Sequence, residues 1–224
     1  MSVVQRIVPW VLIVKSIDVI GSGMVRFETP FVAGALGAAL VASALVWWRH
    51  QRAGAGMAAI VLLVLAAGPL YRNHIAFLAW IAVLTALSRD EQEQRLLLTV
   101  HLSVVYAFAT LVKLTPLWLS GDALAARPVL TFGIPVVVLA WATVIVEAAL
   151  AVAVWRPSRG WFGVAIVTHV SFVVGMGASW LDALRLSVFN VAILTVWLAL
   201  HRCFVQEPPA PVLAPVRRST PVPA

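Results

Sequence analysis

The stretch that decides the fold is FGIPVVVLAWATVIVEAALAVAVW, residues 132–155, in which Glu147 is the single charged side chain. About 20 apolar residues in a helix cross a hydrocarbon core that is about 30 Å thick. Backbone groups in lipid must be hydrogen-bonded within the segment itself, so this stretch is predicted to be a helix rather than a strand. It predicts a helix that spans a membrane.

Seven further apolar windows meet or approach the same length, and breaks that carry charged or turn residues separate them. They cover residues 4–22, 31–48, 55–71, 75–88, 96–113, 161–177 and 183–201. We therefore predict an all-α membrane protein, a multi-pass bundle of about eight transmembrane helices, formed by residues 1–205. The bilayer itself is its first expected partner.

Composition supports this prediction. Of the 224 residues, 62% are hydrophobic and 11% are charged, whereas soluble domains average about 45–50% apolar and about 25% charged residues. The net charge of +7 does not predict nucleic-acid binding, because the basic residues stand singly or in pairs at the boundaries of apolar windows. Cys203 is the single cysteine, so neither an internal disulfide nor a cysteine-based metal site is expected.

The two ends of the sequence give weaker expectations. The start, MSVVQRIVPW, lacks the order of basic region, apolar core and cleavage site of a signal peptide, so the first helix is expected to be retained. The end, QEPPAPVLAPVRRSTPVPA (residues 206–224), is rich in proline and predicts a disordered cytoplasmic tail.

The positions of the arginines predict the orientation. With eight spans both termini share one side, and ten arginines fall there: Arg6, Arg49, Arg52, Arg89, Arg95, Arg156, Arg159, Arg202, Arg217 and Arg218. Four fall on the other side: Arg26, Arg72, Arg127 and Arg185. Basic residues collect in cytoplasmic loops, so both termini are predicted to be cytoplasmic in a cell membrane.

Ionisable residues inside the windows are candidate functional or packing residues, because burying them in lipid is costly. Lys15 and Asp18 stand three apart and can pair on one helix face. His101, Glu147 and His169 fall at similar predicted depths in the cytoplasmic halves of three helices. Together they predict either a polar network that fixes packing or a proton-relay site. A metal site is not expected, because no two ligands share a helical face at the usual spacing.

A second group lies at the opposite, extracytoplasmic membrane face. Asn73 and His74 begin a window, and Tyr106 and Lys113 stand seven apart on one face of the next. Trp118 follows the break at the end of that helix and suits the membrane interface. Lys113 can either snorkel to the headgroups or, if buried, act as a base.

The sequence around Lys113 also resembles a family motif. The stretch YAFATLVKLTPLWLSGDAL, residues 106–124, resembles the signature of the horizontally transferred transmembrane (HTTM) domain of vitamin K-dependent gamma-carboxylases and their bacterial homologues. That signature has a Tyr, a Lys, a Trp, a Gly and a Leu at this spacing. Its first three residues correspond to Tyr106, Lys113 and Trp118. The resemblance extends over about residues 31–200.

Three other features occur in the same order along the chain as in the family. Asn73-His74 opens a helix, Glu147 precedes a basic turn, and His169 falls in the following helix, where Thr168 replaces the family's Phe. The resemblance implies a reactive face outside the cytoplasm and a quinone or quinol, similar to vitamin K, beside Lys113 and His74 as catalytic residues.

The sequence departs from the carboxylases at two points. They carry two adjacent lysines in the motif, and the first is regarded as the base; here that position is Val112, and Lys113 matches the second. They also carry a large soluble domain that recognises the substrate protein, whereas this sequence has the proline-rich tail. Glutamate carboxylation is accordingly the least supported part of the resemblance.

Three functions remain open from the sequence. One is a carboxylase-like or quinol-oxidising enzyme, and another is a non-catalytic redox or maturation accessory that docks another membrane or extracytoplasmic protein. The third is a transporter, which the absence of an internal repeat and of paired Gly- or Pro-broken helices disfavours.

Overall fold

The computed structural model describes residues 3–26, 30–67, 73–126, 131, 133–176 and 180–206. Within these ranges the chain is helical. The helices are α1 (Val3–Arg26), α2 (Pro30–Arg49), α3 (Gln51–Ala67), α4 (Asn73–Leu87), α5 (Glu91–Lys113), α6 (Pro116–Leu119), α7 (Asp122–Ala125), α8 (Val136–Ala153), α9 (Arg159–Met176) and α10 (Trp180–Gln206). Gln206, the first residue of the predicted tail, is the last residue of α10, and residues 207–224 lie outside the described residues.

Each of the eight predicted windows overlaps one long helix in the described residues, and the two short helices α6 and α7 fall in a break. Four segments of the described residues are long and apolar enough to cross a membrane: Phe31–Arg49, Glu91–Lys113, Val136–Ala153 and Ala183–His201. Gln51–Ala67, His74–Leu87 and Arg159–Gly175 are apolar but shorter. The chain is therefore an all-helical membrane protein with four candidate spans by length and composition.

The outer surface also fits a lipid environment. Large apolar side chains on several helices are more than half exposed, which a soluble protein rarely tolerates over so much of its surface. Examples are Trp10, Phe31, Ile60, Phe108, Ile145 and Val167.

The last long helix, α10, lies at the centre of the bundle, where it contacts α1, α4, α5 and α9. Its buried residues recur every fourth position, at Val188, Ala192, Val196 and Leu200, and Trp197 is fully enclosed beside them. This spacing places one continuous stripe against the neighbouring helices. Polar side chains on other faces of α10 can consequently reach partners on several helices.

The start of α5 differs from the prediction, which assigned residues 89–95 to a loop. Asp90 caps the helix by accepting a hydrogen bond from the Glu93 backbone N–H at 2.8 Å, and Glu93 Oε2 accepts one from the Arg89 N–H at 2.6 Å. The arrangement resembles a capping box, except that Glu93 accepts from Arg89, the residue before the cap, and not from Asp90 itself. The charged residues Glu91, Glu93 and Arg95 therefore form the first turns of α5.

The segment after α5 folds back against α8. Pro116 starts α6, and the Thr115 side chain accepts a hydrogen bond from the Trp118 backbone N–H. Gly121 follows with φ of 86°, and a Cβ there would lie 2.9 Å from the Val137 nitrogen. Because glycine tolerates both the positive φ and the close approach, this segment can cover the first turn of α8.

Close packing between α2 and α3 gives the first testable prediction. A Cβ on Gly54 would lie 2.2 Å from the Trp47 backbone nitrogen, whereas nothing lies within 4 Å of one on Gly56. We expect Gly54→Ala to destabilise the protein by about 1–3 kcal/mol, because a backbone must shift. Gly56→Ala, the matched control, should be neutral or slightly stabilising. Thermal unfolding in detergent measures both, and equal midpoints would contradict the prediction.

Candidate functional site

Lys113 points towards α8. Its Nζ lies 2.8 and 2.6 Å from the two carboxylate oxygens of Glu147, and it also donates a hydrogen bond to the Ala109 carbonyl at 3.2 Å. The Lys113 side chain is 16% exposed and that of Glu147 is 6% exposed. We call these two residues the α5–α8 ion pair.

Helix geometry explains why the two side chains meet. Contacts from Ser103 to Ala151 and from Lys113 to Glu147 run in opposite directions along the two chains, so α5 and α8 are antiparallel. Side chains tilt towards the N-terminus of their own helix. Lys113 therefore leans back along α5 while Glu147 leans the opposite way along α8, and the charges converge between the helices.

Trp118 completes this part of the site. The Lys113 Nζ lies 5.3 Å from the centre of the Trp118 ring, within cation–π range. The indole Nε1 donates a hydrogen bond to the Ala140 carbonyl at 3.3 Å. The segment that carries the Trp is thus fixed to α8, with the aromatic ring over the ammonium group.

Tyr106 lies on the buried stripe of α5, two turns before Lys113, and belongs to a second set of hydrogen bonds. Its hydroxyl lies 2.6 Å from His169 Nε2, and Trp197 Nε1 donates to the same hydroxyl oxygen at 3.0 Å. His169 Nδ1 lies 2.5 Å from the Asn190 Oδ1. We call Tyr106, His169, Asn190 and Trp197 the tyrosine network.

The hydrogen bonds assign the direction of each donor in this network. Asn190 Nδ2 donates to the Leu186 carbonyl at 2.7 Å, so its Oδ1 faces His169 and accepts the hydrogen on Nδ1. The neutral imidazole then presents Nε2 as an acceptor. The Tyr106 hydroxyl proton is therefore directed at His169.

His74 lies elsewhere, in a third polar group. Its Nε2 is 2.8 Å from Lys15 Nζ, Lys15 also pairs with Asp18, and Arg185 Nε lies 2.9 Å from Asp18 Oδ1. We call these four residues the α1 network. Lys15 and Asp18 are buried and pair as the sequence predicts. Asn73 begins α4, and its side chain lies outside the described residues.

Within the described residues, no hydrogen bond or ion pair directly joins His101, Glu147 and His169, which the sequence analysis groups together. Glu147 pairs with Lys113, His169 bonds to Tyr106 and Asn190, and the His101 ring stacks on Phe77 with centroids 5.0 Å apart. Within the described residues, His101 Nε2 has no hydrogen-bond partner. His101 stands five positions before Tyr106, about 140° around the helix, so it faces α4 and not α8 or α9.

Sequence reasoning missed three residues of these sites: Arg185, Asn190 and Trp197. Asn190 gives the same signal as His169, a polar side chain within an apolar window, and could have been found by it. Arg185 was counted only as a loop charge. Within the described residues, no three His, Cys, Asp or Glu side chains are close enough to hold a metal ion.

A cavity lies away from Lys113. It has a volume of about 550 Å³ and lies at the opposite end of α5, where Arg89, Arg95 and Trp155 contribute to its lining. The candidate site is therefore defined by its converging polar groups and by the partial exposure of Lys113.

Comparisons with protein-family models, with curated proteins and with solved structures find no match for this chain.

Proposed function

We propose that the protein holds a lipid-soluble quinol at the α5–α8 ion pair, as the resemblance to the HTTM domain of the gamma-carboxylases implies. The observation that carries the proposal is the contact of the Lys113 ammonium with both oxygens of Glu147 beneath the Trp118 ring. The fold joins residues from separate parts of the resemblance in two sets of contacts: Lys113 and Trp118 meet Glu147, and Tyr106 meets His169. This convergence supports the family assignment as a proposal.

The residues present fit a quinol headgroup. Lys113 is partly exposed, and its three N–H groups already meet the two Glu147 oxygens and the Ala109 carbonyl, so a ring oxygen that approaches from the bilayer would replace the Ala109 carbonyl, the longest of the three contacts, as an acceptor. The Trp118 ring offers an aromatic face beside it. A bound quinol supplies two hydroxyl protons and two electrons.

We infer proton-transfer roles that differ from the sequence expectation, in which Lys113 is the base. Lys113 as an ammonium is a donor and cannot take a further proton, whereas Glu147 as a carboxylate can accept one. We therefore place the proton acceptor at Glu147 and the orienting positive charge at Lys113. The Tyr106–His169 hydrogen bond, with His169 Nε2 as the acceptor, is a separate polar contact between α5 and α9.

His74 takes no direct part in this proposal, although the sequence places it with Lys113. Its ring is engaged with Lys15 on the other side of the bundle. The chemistry proposed here therefore rests on α5, α8, α9 and α10.

One observation favours the alternative, a non-catalytic accessory that positions a quinone for another protein. Val112 stands where the family carries its base, and its side chain is 51% exposed on the outer surface. That position can supply neither a base nor a buried contact. An accessory would retain quinone binding without oxidising quinol.

Lys113→Arg tests the proposal. Arginine keeps the charge and the ion pair with Glu147, but its guanidinium is larger and never deprotonates in proteins. We expect the variant to fold normally and to lose about tenfold in bound quinone, measured by solvent extraction of detergent-purified protein, since one charge-assisted hydrogen bond to the headgroup changes geometry.

Val112→Ala is the matched control, because it alters the adjacent residue on the outer face. Wild-type protein and this control should retain equal amounts of quinone. If Lys113→Arg retains as much as they do, Lys113 is only the counter-ion of Glu147. If wild-type protein holds no quinone, both the enzyme and the accessory proposals fail.

We further propose that all eight long helices span the membrane, with both termini in the cytoplasm. The antiparallel contact of α5 with α8 and the excess of arginines on one side support this topology. Reporter fusions at residue 224 should be active only in the cytoplasm. Activity outside the cell would contradict this topology.

A further inference from the structure

The cavity of about 550 Å³ lies at the end of the bundle opposite Lys113, about 30 Å away along α5. It opens between the first turns of α5, the connection from α8 to α9, and Leu200 of α10. Its volume is within the range of roughly 300–1,000 Å³ that small-molecule sites occupy. The quinol proposal does not use it.

Charges of both signs line this cavity. Arg89 and Arg95 contribute two cations, and Asp90 and Glu93 contribute two carboxylates. Each carboxylate uses one oxygen to cap α5, namely Asp90 Oδ1 and Glu93 Oε2. The second oxygen of each remains a possible acceptor for a ligand.

Arg89 supplies a guanidinium that faces no protein partner. It is exposed, and across the described part of the chain its side chain makes no hydrogen bond or ion pair. Its backbone is held in place, since the N–H donates to Glu93 and the carbonyl accepts from Arg52. A fixed backbone with an uncommitted guanidinium suits phosphate recognition.

The other wall of the cavity is apolar and lies at the level of the membrane interface. Leu96, Val154, Trp155 and Leu200 line it, and Trp155 is 52% exposed. The α5 start and the α8 end are the ends of two candidate spans, so this wall lies where acyl chains meet headgroups. Tryptophan is enriched at that depth.

We propose that this cavity binds the headgroup of an aminophospholipid. The phosphate contacts Arg89 and Arg95, the primary ammonium donates to Asp90 and Glu93, and the first part of an acyl chain lies on Leu96 and Trp155. Two cations beside two anions match a zwitterionic headgroup better than an anionic one. A quaternary ammonium has no N–H to donate, so the carboxylates distinguish phosphatidylethanolamine from phosphatidylcholine.

Native mass spectrometry of the full chain in detergent tests this site. Phosphatidylethanolamine, phosphatidylcholine and phosphatidylglycerol with identical chains are added separately, and soluble phosphoethanolamine is added as the headgroup alone. We expect one phosphatidylethanolamine per chain, bound about tenfold more tightly than phosphatidylcholine. Phosphoethanolamine should bind more weakly than the lipid, because it lacks the acyl contact.

Two variants separate the contributions of the charges. Glu93→Gln keeps the acceptor that caps α5 but removes one negative charge, so it should reduce the preference for phosphatidylethanolamine over phosphatidylcholine several-fold. Arg89→Gln should weaken both lipids. Arg49→Gln, an exposed arginine on the same side of the bundle but outside the cavity lining, is the control and should change neither.

Three results would overturn the proposal. Equal binding of the three lipids would show that the charges do not select the headgroup, and an equal effect of Arg49→Gln would show that binding is not at the cavity. Phosphoethanolamine that binds as tightly as the lipid would identify a soluble phosphate compound as the ligand. None of these outcomes bears on quinone content, so this site and the quinol site fail separately.

Discussion

Asp18→Asn is expected to lower the free energy of unfolding by about 3–5 kcal/mol, the usual cost of breaking a buried ion pair by removing one partner. Asp18 contacts two cations from different helices, Lys15 of α1 and Arg185 of α10. Asparagine has nearly the same shape but no negative charge. Both cations would then remain inside the bundle without this carboxylate.

Denaturant or thermal unfolding in detergent measures this loss, with Asp122→Asn as the control. Asp122 is exposed, so its loss should change stability by no more than about 0.5 kcal/mol. The double variant Lys15→Met/Asp18→Asn should be more stable than Asp18→Asn alone, because it removes one of the two cations that the carboxylate balances. If the changes in unfolding free energy of the two single variants add up to that of the double variant, Lys15 and Asp18 do not interact.

Glu147→Leu is expected to destabilise the protein by about 3 kcal/mol, because it leaves the Lys113 ammonium in apolar surroundings. The double variant Lys113→Met/Glu147→Leu should recover most of that loss, since an apolar pair of similar volume often replaces a buried ion pair without cost. Both variants should lose the quinone that the wild-type protein is predicted to bind. The double variant would then be nearly as stable as the wild-type protein but would not bind quinone.

A double variant less stable than Glu147→Leu would contradict this account of the α5–α8 ion pair. It would mean that Lys113 finds another acceptor when Glu147 is absent. The Ala109 carbonyl, 3.2 Å from Nζ, is the nearest such group. A double variant that still carries quinone would place the quinol elsewhere.

The sequence was a good guide to the helices and a poorer one to their ends. Apolar windows such as residues 132–155 coincide with long helices because lipid requires an apolar, internally hydrogen-bonded segment. The start of α5 was missed because its first turns are charged, and the Asp90–Glu93 cap, not hydropathy, determines where it begins.

The partners of the polar residues could be predicted only within one helix. Lys15 with Asp18, and Tyr106 on the same face as Lys113, follow from helical spacing alone. The pairings of Lys113 with Glu147 and of His74 with Lys15 depend on which helices are neighbours and on how deep each lies. The predicted helix ends place Glu147 in the cytoplasmic half of the membrane and Lys113 at the extracytoplasmic face. That depth estimate does not include the lean of the two side chains towards each other.

Photolabelling with an azido-quinone tests the central claim, that a quinol binds at the α5–α8 ion pair, most directly. Detergent-purified protein is labelled, digested and mapped by mass spectrometry, with unlabelled quinone as competitor. We predict competed labelling of peptides that contain Lys113, Trp118 or the neighbouring part of α8, at about one label per chain. Competed labelling confined to other helices, or none at all, would contradict the claim.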